Sequence, residues 1–332
     1  MKIKLSIIIP AHNCEATLEQ AIVSIYDGLS SQEAEQIQTI IVENGSDDHT
    51  EQVAQKVRGH YPQILLTHSQ PGVSKARNRG LEFVMGEWTL FLDADDYYLP
   101  GMIKKILLRE LKEDLLVYSF ESGDALKKLF DQEKNYQQDN KTSLIELAME
   151  NPTNYLTVWG KVFNYQLILK HHLQFNEELN FSEDSLFVLR FLLVAQTALG
   201  SSEVLYHYNR EATSAVRSFN NKKTQEYLQA LTAVYRLITT TLPEAQASLY
   251  IYGLMQVNLI GVHGIYDANN LAGTDEKKKQ LKRVLKHPIV NECFNRTPIT
   301  RMRSPRFAAI ILLKLHCYAL AGKIFELRSR GN

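Results

Sequence analysis

Residues 90–100 read LFLDADDYYLP, an apolar run followed at once by three aspartates, Asp93, Asp95 and Asp96, in four positions. Carboxylates repel one another and are costly to crowd where water is thin, so this turn needs a reason. A solvated turn supplies one, and so does a cap for the helix that runs from Pro100. A cation site supplies a third. Asp93 and Asp95 are one residue apart where a strand ends and the backbone turns, so both carboxylates can face one ion. Hard divalent ions such as Mn²⁺ or Mg²⁺ take oxygen ligands and keep bound waters and substrate phosphates. A half-filled carboxylate site suits a metal that arrives with a diphosphate.

Outward from that turn the chain alternates. EWTLFLD reads as a strand, preceded by three others, KLSIIIP, QTIIVEN and QILLTHS. Between them lie helical segments. NCEATLEQAIVSIYDGL carries Leu18, Ile22, Ile25 and Leu29 at helical spacing with Asn13 as N-cap, and HTEQVAQKVRGHY and SKARNRGLEFVMG follow. Short apolar strands separated by helices predict an α/β fold, a mostly parallel sheet covered on both faces with right-handed crossovers. Such sheets bind ligands at the carboxyl ends of their strands. PAHN, ENGSDDHT and DADD follow strands one, two and four, as that rule requires.

Beyond residue 100 the pattern loosens. MIKKILLRELKED reads as a helix, LLVYSFES as a strand and KNYQQDNKTS as a polar loop. WGKVFNYQLILKHH, FSEDSLFVLRFLLVAQT and EVLYHYNR complete a first domain, 1–218. The remainder, 219–332, reads as helices only, at roughly 222–240, 243–266, 274–286 and 305–327.

A chain of 332 residues with formal net charge zero has no global basic excess to recruit nucleic acid. Cys14, Cys293 and Cys317 lie far apart, which argues against a disulfide framework or zinc site and for a reducing compartment. The first apolar run ends in Pro10 with no small-residue cleavage site, so it reads as a buried strand and not a signal peptide. Residues 307–325 are apolar but interrupted by Lys314 and His316, too short a clean run to span a bilayer.

Each polar cluster has a bland reading beside a sharp one. In IVENGSDDHT, Asn44-Gly45 is a turn signal and Asp47, Asp48 and Thr50 are capping residues. Glu43 is not explained that way: a carboxylate at the last position of a buried strand can accept the N3–H of a uracil ring. In GVSKARNRGL, Lys75, Arg77 and Arg79 make a solvated basic face, the natural reading for Arg79. Arg77 or Lys75 can instead support a diphosphate at the helix N-terminus or brace the acidic turn. In FSEDSLF, Ser182 followed by Glu183 and Asp184 is an ordinary helix start, or Asp184 is a general base. The helix dipole weakens such a base, which is tolerable if the proton leaves late.

As an ordered set, SIIIPAHN, IVENGSDDHT, GVSKARNRGL, GEWTLFLDADDYYLP, WGKVFN, SEDSLF and LYHYNR resemble the inverting nucleotide-sugar transferases of glycosyltransferase family 2, with the Rossmann-like GT-A fold. The resemblance covers roughly residues 3–215. It implies an α/β GT-A domain with helices on both sheet faces and an appended C-terminal helical region. It implies hexosyl or hexosaminyl transfer from a nucleotide sugar, with a UDP-sugar as the expected donor, to a hydroxyl of a saccharide or lipid-linked saccharide in cell-surface polysaccharide synthesis. It places Pro10, Ala11, Asn13, Glu43, Gly72, Arg77, Asp93 and Ala94 around the nucleotide sugar, Glu43 reading the uracil. Asp95 becomes the main protein ligand for Mn²⁺ or Mg²⁺, with Asp93 facing the ribose or the metal. Asp184 becomes the base. Trp159, Gly160 and Glu183 shape the acceptor side, and His207 or Arg210 lies near the diphosphate. One departure stands out: the family's turn begins Asp-Asp where this chain has Glu43-Asn44, one methylene longer at the reading position.

The tail, 301–332, carries Arg301, Arg303, Arg306, Lys314, Lys323, Arg328 and Arg330 against Glu326 alone. It reads either as helices closing on the core or as an interfacial segment on the anionic inner face of the cytoplasmic membrane. The expected location is cytoplasmic, peripheral on that face in the second case. A nicotinamide dehydrogenase is excluded because G-x-G-x-x-G is absent, and the P-loop is absent too. A sugar-phosphate nucleotidyltransferase and a non-catalytic sugar-nucleotide-binding partner are the alternatives. The first is expected to show a glycine-rich basic loop where this chain has PAHNCEA.

Overall fold

The structure is a computed structural model that describes residues 2–61, 63–209 and 222–330. It divides into two compact units, Met1–Leu144 with Leu156–Ala212, and Ile145–Tyr155 with Thr213–Asn332.

The first unit is built on one sheet of ten strands: β1 Leu5–Ala11, β2 Ile37–Glu43, β3 Ile64–His68, β4 Trp88–Phe91, β5 Tyr97–Tyr98, β6 Leu115–Ser122, β7 Ala125–Lys127, β8 Lys134–Tyr136, β9 Lys161–Asn164 and β10 Ala198–Tyr208. The order is β3-β2-β1-β4-β9-β6-β10-β5, with β7 beside β6 and β8 beside β10. β1 to β4 run parallel, as do β6 and β10, while β9 and β5 run against them. The α/β reading therefore holds. β2 is buried at every position and β1 at all but one. That is the consequence of near-continuous apolar runs with helices on both faces.

The helices between the strands, Leu18–Tyr26, Thr50–His60 and Val73–Leu81, bury the stripes their spacing marks. Local expectations fail in two places. Asn13 does not cap the first helix; Thr17 precedes it, and Asn13 takes a left-handed backbone (φ +48°) in the loop after β1. Within the loop expected at KNYQQDNKTS, Lys134–Tyr136 is β8, paired with Ala198–Gly200. That short strand forms because Tyr136 is buried, a gain invisible in the local composition.

The second unit is helical among its described residues: Lys223–Thr241, Gln246–Ile260, Thr274–Lys286, Pro288–Arg296, Ala308–Lys314 and Tyr318–Arg330, with short 3₁₀ and π turns. Two expected boundaries change. Pro288 starts a helix at its favoured first position. The expected 305–327 helix breaks near His316, whose φ is +60°. Ile145–Tyr155 is tied into this unit: Glu150 accepts from Ser248 Oγ (2.9 Å) and Arg301 Nη2 (2.8 Å), and Arg306 Nη1 donates to Asn151 Oδ1 (2.7 Å). Arg328 donates to the carbonyls of Pro305 (2.8 Å) and Arg306 (3.0 Å), and Lys314 donates to that of Phe294. Much of the tail's charge is thus turned onto its own unit, while Leu315, Leu320 and Leu327 stay exposed.

Candidate active site

Because β1, β2 and β3 are parallel and in register, their carboxyl ends align: Ala11 lies opposite Glu43, and Glu43 opposite His68. Asn44 N–H donates to Ala11 O at 3.0 Å. The loops after β1 and β2 are then clasped side chain to backbone. Asn13 Oδ1 accepts from Asp47 N (2.8 Å), Asp48 Oδ2 from Glu15 N (3.1 Å) and Glu15 Oε2 from His49 N (2.8 Å). Asp48 Oδ1 also takes Thr50 N at 2.9 Å, so Asp48 satisfies the first N–H of the helix Thr50–His60 from one residue before its N-cap, His49, which makes no side-chain cap hydrogen bond. Gly45 has φ +85°, and a Cβ there would sit 2.9 Å from Pro71 Cγ. That contact brings the loop of Pro71 and Gly72, from which the helix Val73–Leu81 starts, against the β2 turn.

Glu43 is buried, and its Oε1 accepts from Ser46 N at 2.6 Å. Burial pushes its carboxyl up, but the Ser46 and Gly45 hydrogen bonds and the nearby His68 ring hold it below its ordinary value. Among the described residues, Asn44 Oδ1 is buried without a hydrogen-bond partner, an acceptor in want of a donor. Glu51 and His68 lie beside Glu43, each of the three offering a ligand atom within 4.8 Å of the others; His68 Nε2 and Glu51 Oε1 are 3.2 Å apart.

One turn into the Val73–Leu81 helix, Arg77 is turned inward, its side chain only 4% exposed. Nη2 donates to Asp93 Oδ1 (3.0 Å), and Nη1 donates to Glu183 Oε1 (2.9 Å) and Asp184 Oδ1 (2.5 Å). The guanidinium lies 5.3 Å over the Phe175 ring. Burial works against its charge, but Asp184, Asp93 and Glu183 together raise its pKa above the usual value. Burial raises Asp93, with Arg77 opposing. Burial also pushes Glu183 up to about 8, helped by Asp184 and opposed by Arg77. Of the two alternatives for the basic segment, Arg77 braces the acidic turn. Arg79 is half-exposed and pairs with Glu82, in keeping with a surface basic face.

Asp96 does not start the helix Met102–Leu108, which follows Gly101. It is buried at the turn, accepting from Tyr206 OH (2.7 Å) and Asn209 N (2.7 Å). Burial pushes it up to about 9, with Asp93 and Asp95 adding to the effect. Tyr206 OH in turn accepts from Asp93 N at 3.1 Å. Ala94 is buried and Asp95 half-buried in the same turn.

Glu183 and Asp184 open the helix Glu183–Val194, but Ser182 is not a capping side chain: its φ is +56° and it makes no cap hydrogen bond. Asp184 Oδ2 accepts from Val158 N at 3.3 Å. Next to Val158, Trp159 stacks on Tyr206 (4.7 Å between centroids) and Tyr208 (5.7 Å), with Phe120 edge-on at 4.8 Å. Gly160 follows with φ +69°. His207 stacks on Tyr97 at 4.4 Å, with Nδ1 3.3 Å from Glu121 Oε2. Arg210 lies outside the described residues. The structure thus joins Arg77, Asp93, Glu183 and Asp184 in one network, and sets Pro10, Ala11 and Glu43 at the adjoining carboxyl ends of β1 and β2, with Asn13 in the loop after β1. The local sequence does not announce the partners of Asp96, Tyr206 and Asn209, which lie more than a hundred residues away. Lys161 has one signal in sequence, a charged residue inside the otherwise largely apolar run TVWGKVF.

The donor set fits a hard dication. Asp93, Asp95 and Asp96 offer carboxylate oxygens on one turn, and beyond the burial that chiefly raises Asp96, the charges of Asp93 and Asp95 add to its shift, a like-charge repulsion that a bound cation would relieve.

Residues 6–171 match the family model described as glycosyl transferase family 2. Glycosyltransferase YibD of Escherichia coli K12, described as uncharacterized, is 26% identical over 64% of this chain and 63% of its own length. The chain thus spans just under two thirds of the first curated relatives it matches. Among solved structures, Staphylococcus aureus TarS 1–349 in complex with UDP-GlcNAc superposes with a TM-score of 0.68 over 99% of this chain and 92% of that one, at 18% identity. The mannosyltransferase PcManGT of Pyrobaculum calidifontis, in complex with GDP-Man and Mn²⁺, gives 0.52 over 98% and 88%, at 14% identity. At these identities the likeness is one of fold, and the fold is GT-A.

Proposed function

The chain belongs to glycosyltransferase family 2, and from that premise we propose that it is an inverting, metal-dependent transferase. It would move a hexosyl or hexosaminyl unit from a nucleotide sugar, UDP-linked, to a hydroxyl of a saccharide or lipid-linked saccharide acceptor. One observation carries the reading: a single guanidinium, Arg77, bonds Asp93 of the acidic turn and the Glu183-Asp184 pair together.

The proposed roles are these. Pro10 and Ala11 present backbone to the base, and Glu43 with Asn44 offers acceptors to a ring N–H. Gly72, the Val73–Leu81 helix start and His207 face the phosphates. Asp95, with Asp93, would hold Mn²⁺ or Mg²⁺, which supplies charge neutralisation for the diphosphate leaving group. Arg77 keeps Asp93 oriented. With Oδ1 committed to Arg77, Asp184 Oδ2 is the oxygen left to take the proton of the acceptor hydroxyl as it attacks the anomeric carbon from the face opposite the leaving group. One displacement inverts the centre, and no covalent enzyme intermediate is required.

The test is UDP or GDP release from a panel of UDP-sugars and GDP-sugars with Mn²⁺. Release above background from a UDP-sugar supports the reading; inertness towards every donor, with no binding of UDP, defeats it. In the same assay Asp95→Ala should abolish metal-dependent UDP binding, and undiminished Mn²⁺-dependent affinity would remove Asp95 as a ligand.

A cytoplasmic site on the inner membrane face is part of the proposal. No helix among the described residues is long and apolar enough to cross a membrane. The exposed Leu315, Leu320 and Leu327, with Lys323 and Arg330 nearby in sequence, supply apolar and basic contacts for an anionic surface. Co-sedimentation with phosphatidylglycerol vesicles should fall several-fold in Leu320→Asp/Leu327→Asp. Equal sedimentation of variant and wild type would leave the tail a packing element only.

A further inference from the structure

Lys161, the first residue of β9, is 2% exposed. An ammonium has three donors and no acceptor. Here they meet Thr157 O at 2.6 Å, Thr157 Oγ1 at 3.4 Å and Trp159 O at 3.5 Å, all on one turn. That turn carries Val158, whose N–H reaches Asp184 Oδ2, and Trp159, stacked on Tyr206. Its far end is fixed by the sheet, since Gly160 O accepts from Tyr118 N at 2.9 Å. Its near end, at Thr157, is held by the ammonium.

Resting on the reading of Asp184 as base, we propose that Lys161 is a positioning residue for the transfer: it tethers the Thr157–Gly160 turn and thereby fixes the direction in which Asp184 Oδ2 faces the acceptor hydroxyl. Burying an ammonium is expensive, and a methionine of similar length would fill the space without that cost. The charge is therefore kept for the groups it meets. Burial pushes Lys161 down to about 7, with Asp184 opposing, so the carboxylate and the ammonium support one another. Among the described residues, the charged groups around Asp184 are Arg77 from the Val73–Leu81 helix, Asp93 after β4, Glu183 on its own helix and Lys161 on β9. Of these, Lys161 alone acts through the backbone that touches Oδ2.

The experiment compares Lys161→Met and Lys161→Gln in the full chain, using the UDP-sugar that wild type releases fastest, with water as acceptor and Mn²⁺ present. UDP binding by calorimetry gives affinity and, through stoichiometry, the folded fraction by which kcat is normalised. A displaced base should lower kcat about tenfold or more in Lys161→Met while UDP affinity stays within about threefold. Lys161→Gln returns N–H donors to the turn and should recover part of the loss, ending about threefold below wild type.

Wild-type kcat in folded Lys161→Met overturns the proposal. So does a Gln variant no better than Met, or a loss of kcat matched by loss of UDP affinity. Should Lys161→Met fail to bind UDP at all, Lys161→Gln decides alone: reduced kcat with retained affinity supports the tether, and wild-type kcat refutes it. Asp184→Asn run alongside separates the two levels. Full activity there sinks the base assignment, whereas an impaired Asp184→Asn beside normal Lys161 variants sinks only the tether.

Discussion

Asp184→Asn should lower turnover by about 100-fold or more while leaving UDP affinity within about threefold of wild type. The substitution is nearly isosteric. The amide oxygen can still accept from Arg77 Nη1, now 2.5 Å from Oδ1, so the brace between the carboxylate pair and Asp93 is kept in outline. What is lost is the second oxygen as a proton acceptor, because an amide nitrogen offers no lone pair for the hydroxyl proton. On the proposed reading, donor binding depends on the loops after β1, β2 and β4, and these do not include residue 184. A split between kcat and nucleotide affinity is therefore the signature of a base. Normal turnover in Asp184→Asn, with a large loss in Glu183→Gln, would move the role one residue back. That outcome has a physical route: Asp184 is among the groups that push Glu183 up to about 8, so its neutralisation makes Glu183 easier to ionise.

Much of this arrangement was legible in the chain because it is local. KLSIIIP, QTIIVEN and EWTLFLD each bury nearly every position, and a run of β-branched and aromatic residues bounded by turn signals can do little else. The polar clusters after them had to fall at the carboxyl ends once the strands were parallel. What escaped depends on partners distant in sequence. Asp96 reads as a cap from its neighbours, yet its bonds run to Tyr206 and Asn209. Lys161 reads as the third letter of a motif and turns out to be a buried cation. β8 is three residues long and forms only because β10 offers an edge for it. Asn13 has every local property of an N-cap, but the β2 loop, 34 residues on, competes for its carbonyl oxygen and wins. The helix break at His316 likewise has no proline or glycine to announce it.

Arg77→Met should be the most damaging single change to the stability of the first unit, at about 3–5 kcal/mol. The damage comes from orphaned charge. Exchanging a whole buried ionic cluster for apolar groups is often harmless, but removing one partner leaves the others desolvated and repelling. Here the deleted partner serves three carboxylates, and Asp93, Glu183 and Asp184 would face one another with no guanidinium between them. Protonation offers partial relief, since burial already raises Glu183 and Asp93. The damage should therefore shrink as pH falls and those groups take up protons. Below the unfolded carboxylate range the variant should approach wild type; the penalty then grows with pH and is complete only above the raised folded values, about 8 for Glu183 even with the arginine in place.

Arg77→Lys keeps one charge but loses the fork, because a single ammonium cannot repeat the pattern in which Nη2 takes Asp93 and Nη1 takes both acidic residues of the helix start. It should fall between wild type and Met. Both tryptophans, Trp88 and Trp159, lie in the first unit, so urea unfolding followed by their fluorescence reads that unit without interference from the helical one. A midpoint for Arg77→Met within about 1 kcal/mol of wild type at neutral pH would show that the carboxylates relax into solvent when the arginine goes. It would also mean that the guanidinium does not hold the acidic turn and the base together, and the observation on which the proposed chemistry chiefly rests would lose its force.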